Sequence, residues 1–137
     1  MRKKLISVVA NAALLAAVTL PLAAHHSFSA EFDANKTDTL EGKVVKMEWV
    51  NPHSWLHIDV TKPDGKVERW QIEGGSPSVL FRLGWNRDSL LPGTKVKVIG
   101  SQAKDGSFRA NSRSLEFPDG RTMDLGGTKA PENQPTK

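Results

Sequence analysis

The residues best suited to chemistry are four histidines, and they fall into two pairs. His25 and His26 are adjacent and directly follow Leu22-Ala23-Ala24, while His53 and His57 flank Trp55 just after Asn51-Pro52. A chain that starts at His25 carries a free amine and an imidazole on one residue, a bidentate donor for Cu(II). One further imidazole completes a planar nitrogen set, an arrangement that suits this ion. A start at Ala24 places a histidine third, so that amine, two deprotonated amides and imidazole surround copper in a square. Both frames point to copper. The start at His25 is preferred because Leu22 and Ala24 fit a signal peptidase's liking for small or apolar residues.

His53 and His57 stand four residues apart. On a strand they share a face but are separated by roughly 13 Å, at about 3.3 Å per residue. Two imidazoles that each bind at about 2 Å cannot then share an ion. One histidine at most joins the amino terminus, and His53, at the strand entry, is the expected third ligand. The competing readings are structural: His25-His26 as a polar start, His53 as a turn hydrogen-bonder and His57 on a solvated strand face.

Met47 and Trp49 lie near the same strand end, where a thioether and an indole face could hold Cu(I). The apolar pattern equally places both in the core. Trp85 and Arg87 could stack on a ligand, although a tryptophan there also serves to plug the end of a barrel. No nucleophile elbow, Ser/His/Asp grouping or convincing carboxylate pair stands out. The expectation is therefore a non-enzymatic binding protein, with copper as its one cofactor. An alternative is an interaction module that docks on an envelope protein, without metal, through a β edge or the Trp49/Trp55 face.

What must position these residues begins with a leader. Arg2, Lys3 and Lys4 precede an apolar run from Leu5 to Leu20, closed by Pro21 and a small-residue cleavage signal. A spanning helix needs roughly 20 apolar residues, so residues 1–24 read as a cleaved signal peptide and the product as soluble and periplasmic. Three of the 19 basic residues lie in that leader, against 15 acidic residues in all, so the remainder is close to neutral. That charge balance argues against nucleic-acid binding. There is no cysteine, which excludes disulfides, thiol redox chemistry and a lipid-modified amino-terminal cysteine.

Residues 25–38 read as an irregular arm, 39–125 as one β domain and 126–137 as a polar, disordered tail. Within the domain, Thr39–Val50 is strand-like, and its apolar alternation changes phase after Val44, which predicts a bulge. His53–Thr61 and Val67–Glu73 follow, joined by the tight turn Pro63-Asp64-Gly65-Lys66. Ser76-Pro77 opens a short helix that ends at Gly84. Thr94–Gly100 and Phe108–Phe117 make two more strands, and Pro118-Asp119-Gly120-Arg121 turns the chain into a short sixth. Three strands, a short helix and two or three more strands give a mainly all-β fold, a small OB-like barrel of five to six strands; an open sandwich is the alternative.

The segments Ala24-His25-His26-Ser27-Phe28, Glu31-Phe32-Asp33, Val50-Asn51-Pro52-His53-Ser54-Trp55, Glu73-Gly74-Gly75 and Gly84 to Leu90 resemble a family of small exported proteobacterial proteins of unknown function. The resemblance covers nearly the whole mature chain and implies a secreted, compact β domain, with no activity attached. A looser similarity is to small periplasmic OB-barrel copper chaperones, which use a histidine, methionines and a tryptophan. His53, Met47 and Trp49 are the matching residues here, and the second methionine is missing.

Overall fold

The structure, a computed structural model, describes residues 28–129. Residues 1–27, among them His25, His26 and the segment expected to be a signal peptide, and residues 130–137 lie outside the described residues. Six strands form one sheet: β1 (Phe32–Glu48), β2 (Trp55–Thr61), β3 (Val67–Glu73), β4 (Lys95–Ala103), β5 (Arg109–Glu116) and β6 (Thr122–Met123). One helix, α1 (Pro77–Arg82), lies between β3 and β4. The chain is therefore mostly β. The sheet order is β3-β2-β1-β4-β5-β6, with a further pairing of β3 to β5. That pairing is parallel and sets Gln71 beside Arg109 and Glu73 beside Asn111, whereas the other pairs are antiparallel.

The core follows from alternation along the strands. Leu56, Ile58 and Val60 of β2 turn inward with Trp70 and Ile72 of β3, Val96 and Val98 of β4, and Ala110 and Leu115 of β5. Leu80 of α1, with Trp85, Leu90, Phe117 and Leu125 from loops, completes it. Residues Val44 and Lys46 of β1 pair with the adjacent residues Ile58 and His57 of β2, so Val45 is an extra residue. This is the bulge that the phase change requires: Leu40 and Val44 face inward before it, and Met47, opposite buried Leu56, after it.

Several boundaries differ from the sequence reading; β4, expected at Thr94–Gly100, runs on to Ala103. β1 starts at Phe32, so half of the expected arm is strand; the first half of β1 is polar because it pairs only with β4 and leaves its side chains to solvent. β2 starts at Trp55, which leaves His53 in the preceding loop. Ser54 there exchanges backbone hydrogen bonds with the Gly74-Gly75 turn instead of joining the ladder. Residues 126–128, expected in a disordered tail, are packed as a strap. Leu125 is fully buried and its carbonyl accepts from the Gly75 N–H at 2.8 Å. A side chain at Gly127 would collide with the Ser112 carbonyl, so glycine is what lets the strap lie flat on β5.

Candidate functional site

Register builds the site. Trp55 pairs with Glu48 of β1 on one side and with Glu73 of β3 on the other, so the three residues share one face. His53 and His57 are two residues before and after Trp55, each diagonal to one of these carboxylates, within reach of a long side chain. Each histidine takes a different one. His53 Nδ1 lies 2.9 Å from Glu73 Oε1. His57 Nε2 lies 3.3 Å from Glu48 Oε2, close enough for an ion pair but misaligned for a hydrogen bond.

The two pairs differ in exposure. Glu73 is 6% exposed and His53 39%, so a buried carboxylate grips one edge of a ring whose other edge meets solvent. Burial pushes the Glu73 carboxyl above the usual range; Glu31 adds to this, while His53, Arg109 and Asn111 oppose it. Asn111 is itself buried and holds the strap: with its amide oriented to satisfy both groups, it donates to the Thr128 carbonyl at 2.9 Å and accepts from the Thr128 N–H at 3.2 Å. At the other pair the exposures are reversed, with His57 buried and Glu48 exposed. A hydrogen bond from Lys46, and then the neighbouring His57, hold Glu48 below the ordinary carboxylate range. His57 is therefore not on a solvated face.

Arg109 ties the amino-terminal segment to this face. Its guanidinium lies 5.3 Å from the Trp55 ring centroid and 5.8 Å from that of Phe32, and Nη2 donates to Glu31 at 3.0 Å. Phe28 is buried against Phe32 and Ala103. Arg109 thus joins Glu31, next to β1, to Trp55 on the face that carries His53, and its charge also acts on Glu73.

The remaining sequence candidates separate. Met47 and Trp49 pack against the core. Trp49 also stacks on Phe81 at 5.3 Å, and Arg87 sits 5.8 Å from its centroid. Trp85 is buried, tilted against Phe117, with its indole N–H donating to the Asp124 carbonyl at 2.7 Å. Both its faces and its donor are used internally, so it is a core residue and not a stacking platform; Arg87 stands over Trp49 instead. Among the described residues no three His, Cys, Asp or Glu side chains are grouped to hold a metal. The sequence reading passed over Glu48, Arg109 and Asn111, and named Glu31 and Glu73 without a role beside the histidines.

Residues 12–112 match the model of a family described as of unknown function (DUF6152). No curated protein matches the chain.

Proposed function

We propose a copper-binding role for this chain, which belongs to that family of unknown function. In this reading an exported, periplasmic OB-type domain binds Cu(II) through His25 and His26 at its processed amino terminus, with His53 as the third imidazole. The parallel β3–β5 pairing supports a closed OB-type barrel, since it joins the two ends of the β3-β2-β1-β4-β5 series. The role is binding without catalysis.

The observation that carries the reading is the His53–Glu73 pair. Histidines that ligate metals characteristically give their other ring nitrogen to a carboxylate, which fixes the tautomer and the ring orientation. Glu73 Oε1 lies 2.9 Å from Nδ1, so in this reading Nε2 is the nitrogen left to coordinate. One imidazole is a weak site by itself; in this reading the further nitrogen donors are the amine and the rings of His25 and His26. The soft Cu(I) version is less favoured, because Met47 and Trp49 are engaged with the core and with Phe81.

The test is Cu(II) titration of the processed, tag-free chain by calorimetry. One ion should bind per chain, more weakly when His25 and His53 are both alanine, and more weakly when an added methionine moves the amine away from His25. Equal affinity in all three proteins would defeat the proposal.

A further inference from the structure

At the far end of β2 from His53, the register sets charged residues of the outer face in two rows. One runs Arg69, Asp59, Lys43, Lys95 across β3, β2, β1 and β4. The next runs Glu41, Lys97, Glu116 across β1, β4 and β5. The second row alternates in sign, and Lys97 Nζ lies 3.3 Å from Glu116. The first row breaks. Arg69 takes both oxygens of Asp59, at 2.8 and 2.9 Å, which leaves Lys43 and Lys95 directly opposite each other. Counting on from the Lys97–Glu116 pair, the place beside Lys95 falls to Pro118, which carries no charge. Neither lysine has an ion pair or a hydrogen bond among the described residues, whereas Lys46, Lys62, Lys66 and Lys97 each have a carboxylate within ion-pair distance. Lys36 and Lys129 also stand alone among the described residues, but neither is set opposite another cation in the register. Like charges facing each other across a strand pair destabilise it, and an anion held between them removes that penalty.

Both lysines line one open cavity of about 680 Å³, together with Thr61 and Val67 at the β2–β3 turn. That volume lies within the roughly 300–1,000 Å³ of small-molecule sites and exceeds what an inorganic ion fills. Val67 is 60% exposed, more than any other large apolar side chain among the described residues. We propose that the cavity binds a small organic monocarboxylate, its head between Lys43 and Lys95 and its apolar body across Thr61 onto Val67. Two ammonium groups, each a compact charge with three donors, match the two oxygens of one carboxylate. The charge count decides the class of head. With Arg69 counted beside Asp59, the cations around the cavity exceed the carboxylates by one, which suits a single negative charge. A phosphate monoester brings nearly two, and it would bring them toward Glu41 and Glu116. From Lys43 to Val67 is two strand spacings, roughly 10 Å, the reach of a medium-length chain. His53 does not line this cavity, so the site is independent of the copper reading.

Nitrogen-15 NMR titration of the processed chain with sodium octanoate, octyl phosphate, octylamine and sodium acetate tests head and body separately. Octanoate should shift the Lys43 and Lys95 amides to saturation, with octyl phosphate and acetate weaker and octylamine without effect there. K43Q with K95Q should weaken octanoate roughly tenfold, the scale of one charge-assisted hydrogen bond after solvent screening. Val67→Ser should weaken it by a smaller factor, with circular dichroism unchanged because all three side chains are exposed. Without ligand, K95Q should melt no lower than wild type, since it relieves a like-charge contact. Unchanged octanoate affinity in the double lysine variant, equal binding of octylamine, or shifts centred away from Lys43 and Lys95 would overturn the site. Octyl phosphate or acetate binding as tightly as octanoate would overturn the class of ligand. A lowered melting point in ligand-free K95Q would overturn the argument from the lysine pair.

Discussion

Replacing His53 with alanine leaves Glu73 without the imidazole that lies 2.9 Å from it, while the carboxylate stays buried, its side chain 6% exposed. Arg109 and Asn111 still favour its ionised form. A buried acceptor stripped of one partner costs about 1–3 kcal/mol. Because His53 is itself 39% exposed and solvent screens that side, the expected loss is about 1–2 kcal/mol. The pH dependence has a definite sign. Burial already raises the Glu73 carboxyl above 4.5 and His53 opposes that rise, so removing His53 raises it further. A carboxyl whose folded pKa exceeds its unfolded one leaves stability intact below about 4.5 and erodes it as pH climbs through the folded value. The deficit in His53→Ala should therefore be largest at neutral pH and shrink on acidification. Urea unfolding of variant and wild type across that range measures it. Equal stability at neutral pH, or a deficit that does not change with pH, would refute the reasoning.

Other perturbations separate fold from site. Glu73→Gln removes a charge whose burial is unfavourable, so stability at neutral pH should stay within about 1 kcal/mol of wild type while Cu(II) affinity falls roughly 10- to 100-fold; a calorimetric titration showing unchanged affinity would contradict the positioning role. Leu125→Ala, deep in the core, should cost about 2–5 kcal/mol in urea unfolding, and a loss below about 1 kcal/mol would mean that the strap is not part of the fold. Hydrogen bonds from Arg69 hold Asp59 below its ordinary 3.8, so its contribution is present above that value and lost as pH falls through the folded one. Asp59→Asn should lack this component of the acid-side decline, and a thermal denaturation profile parallel to wild type in that range would exclude it.

Much of the site's framework was legible in the sequence. The Pro63–Lys66 turn fixes Thr61 opposite Val67, and counting back along the two strands sets Trp55 opposite Glu73. The bulge near Val45 was visible as a change of apolar phase. What escaped was burial on the outer face. Glu73, Asn111 and His57 alternate with core residues and so read as solvent-facing, yet all three are covered. The strap over Asn111 has no hydrophobic period; it is held by the backbone of Leu125 and Thr128 and by the close approach that Gly127 allows. Polar segments bound this way leave no pattern for periodicity to detect. Trp85 read both as a stacking residue and as a plug for a related reason: its polar neighbours Asn86, Arg87 and Asp88 are exposed, while its own N–H reaches far along the chain to Asp124.

The central claim is that His53, set by Glu73, shares one copper ion with an amino terminus beginning at His25. Native mass spectrometry of the tag-free protein purified from cells that express the full-length chain measures both parts together. The account predicts a chain starting at His25 that retains one copper ion, and loss of that ion from His53→Ala. A different first residue, or a His53→Ala chain that keeps its copper, would contradict it.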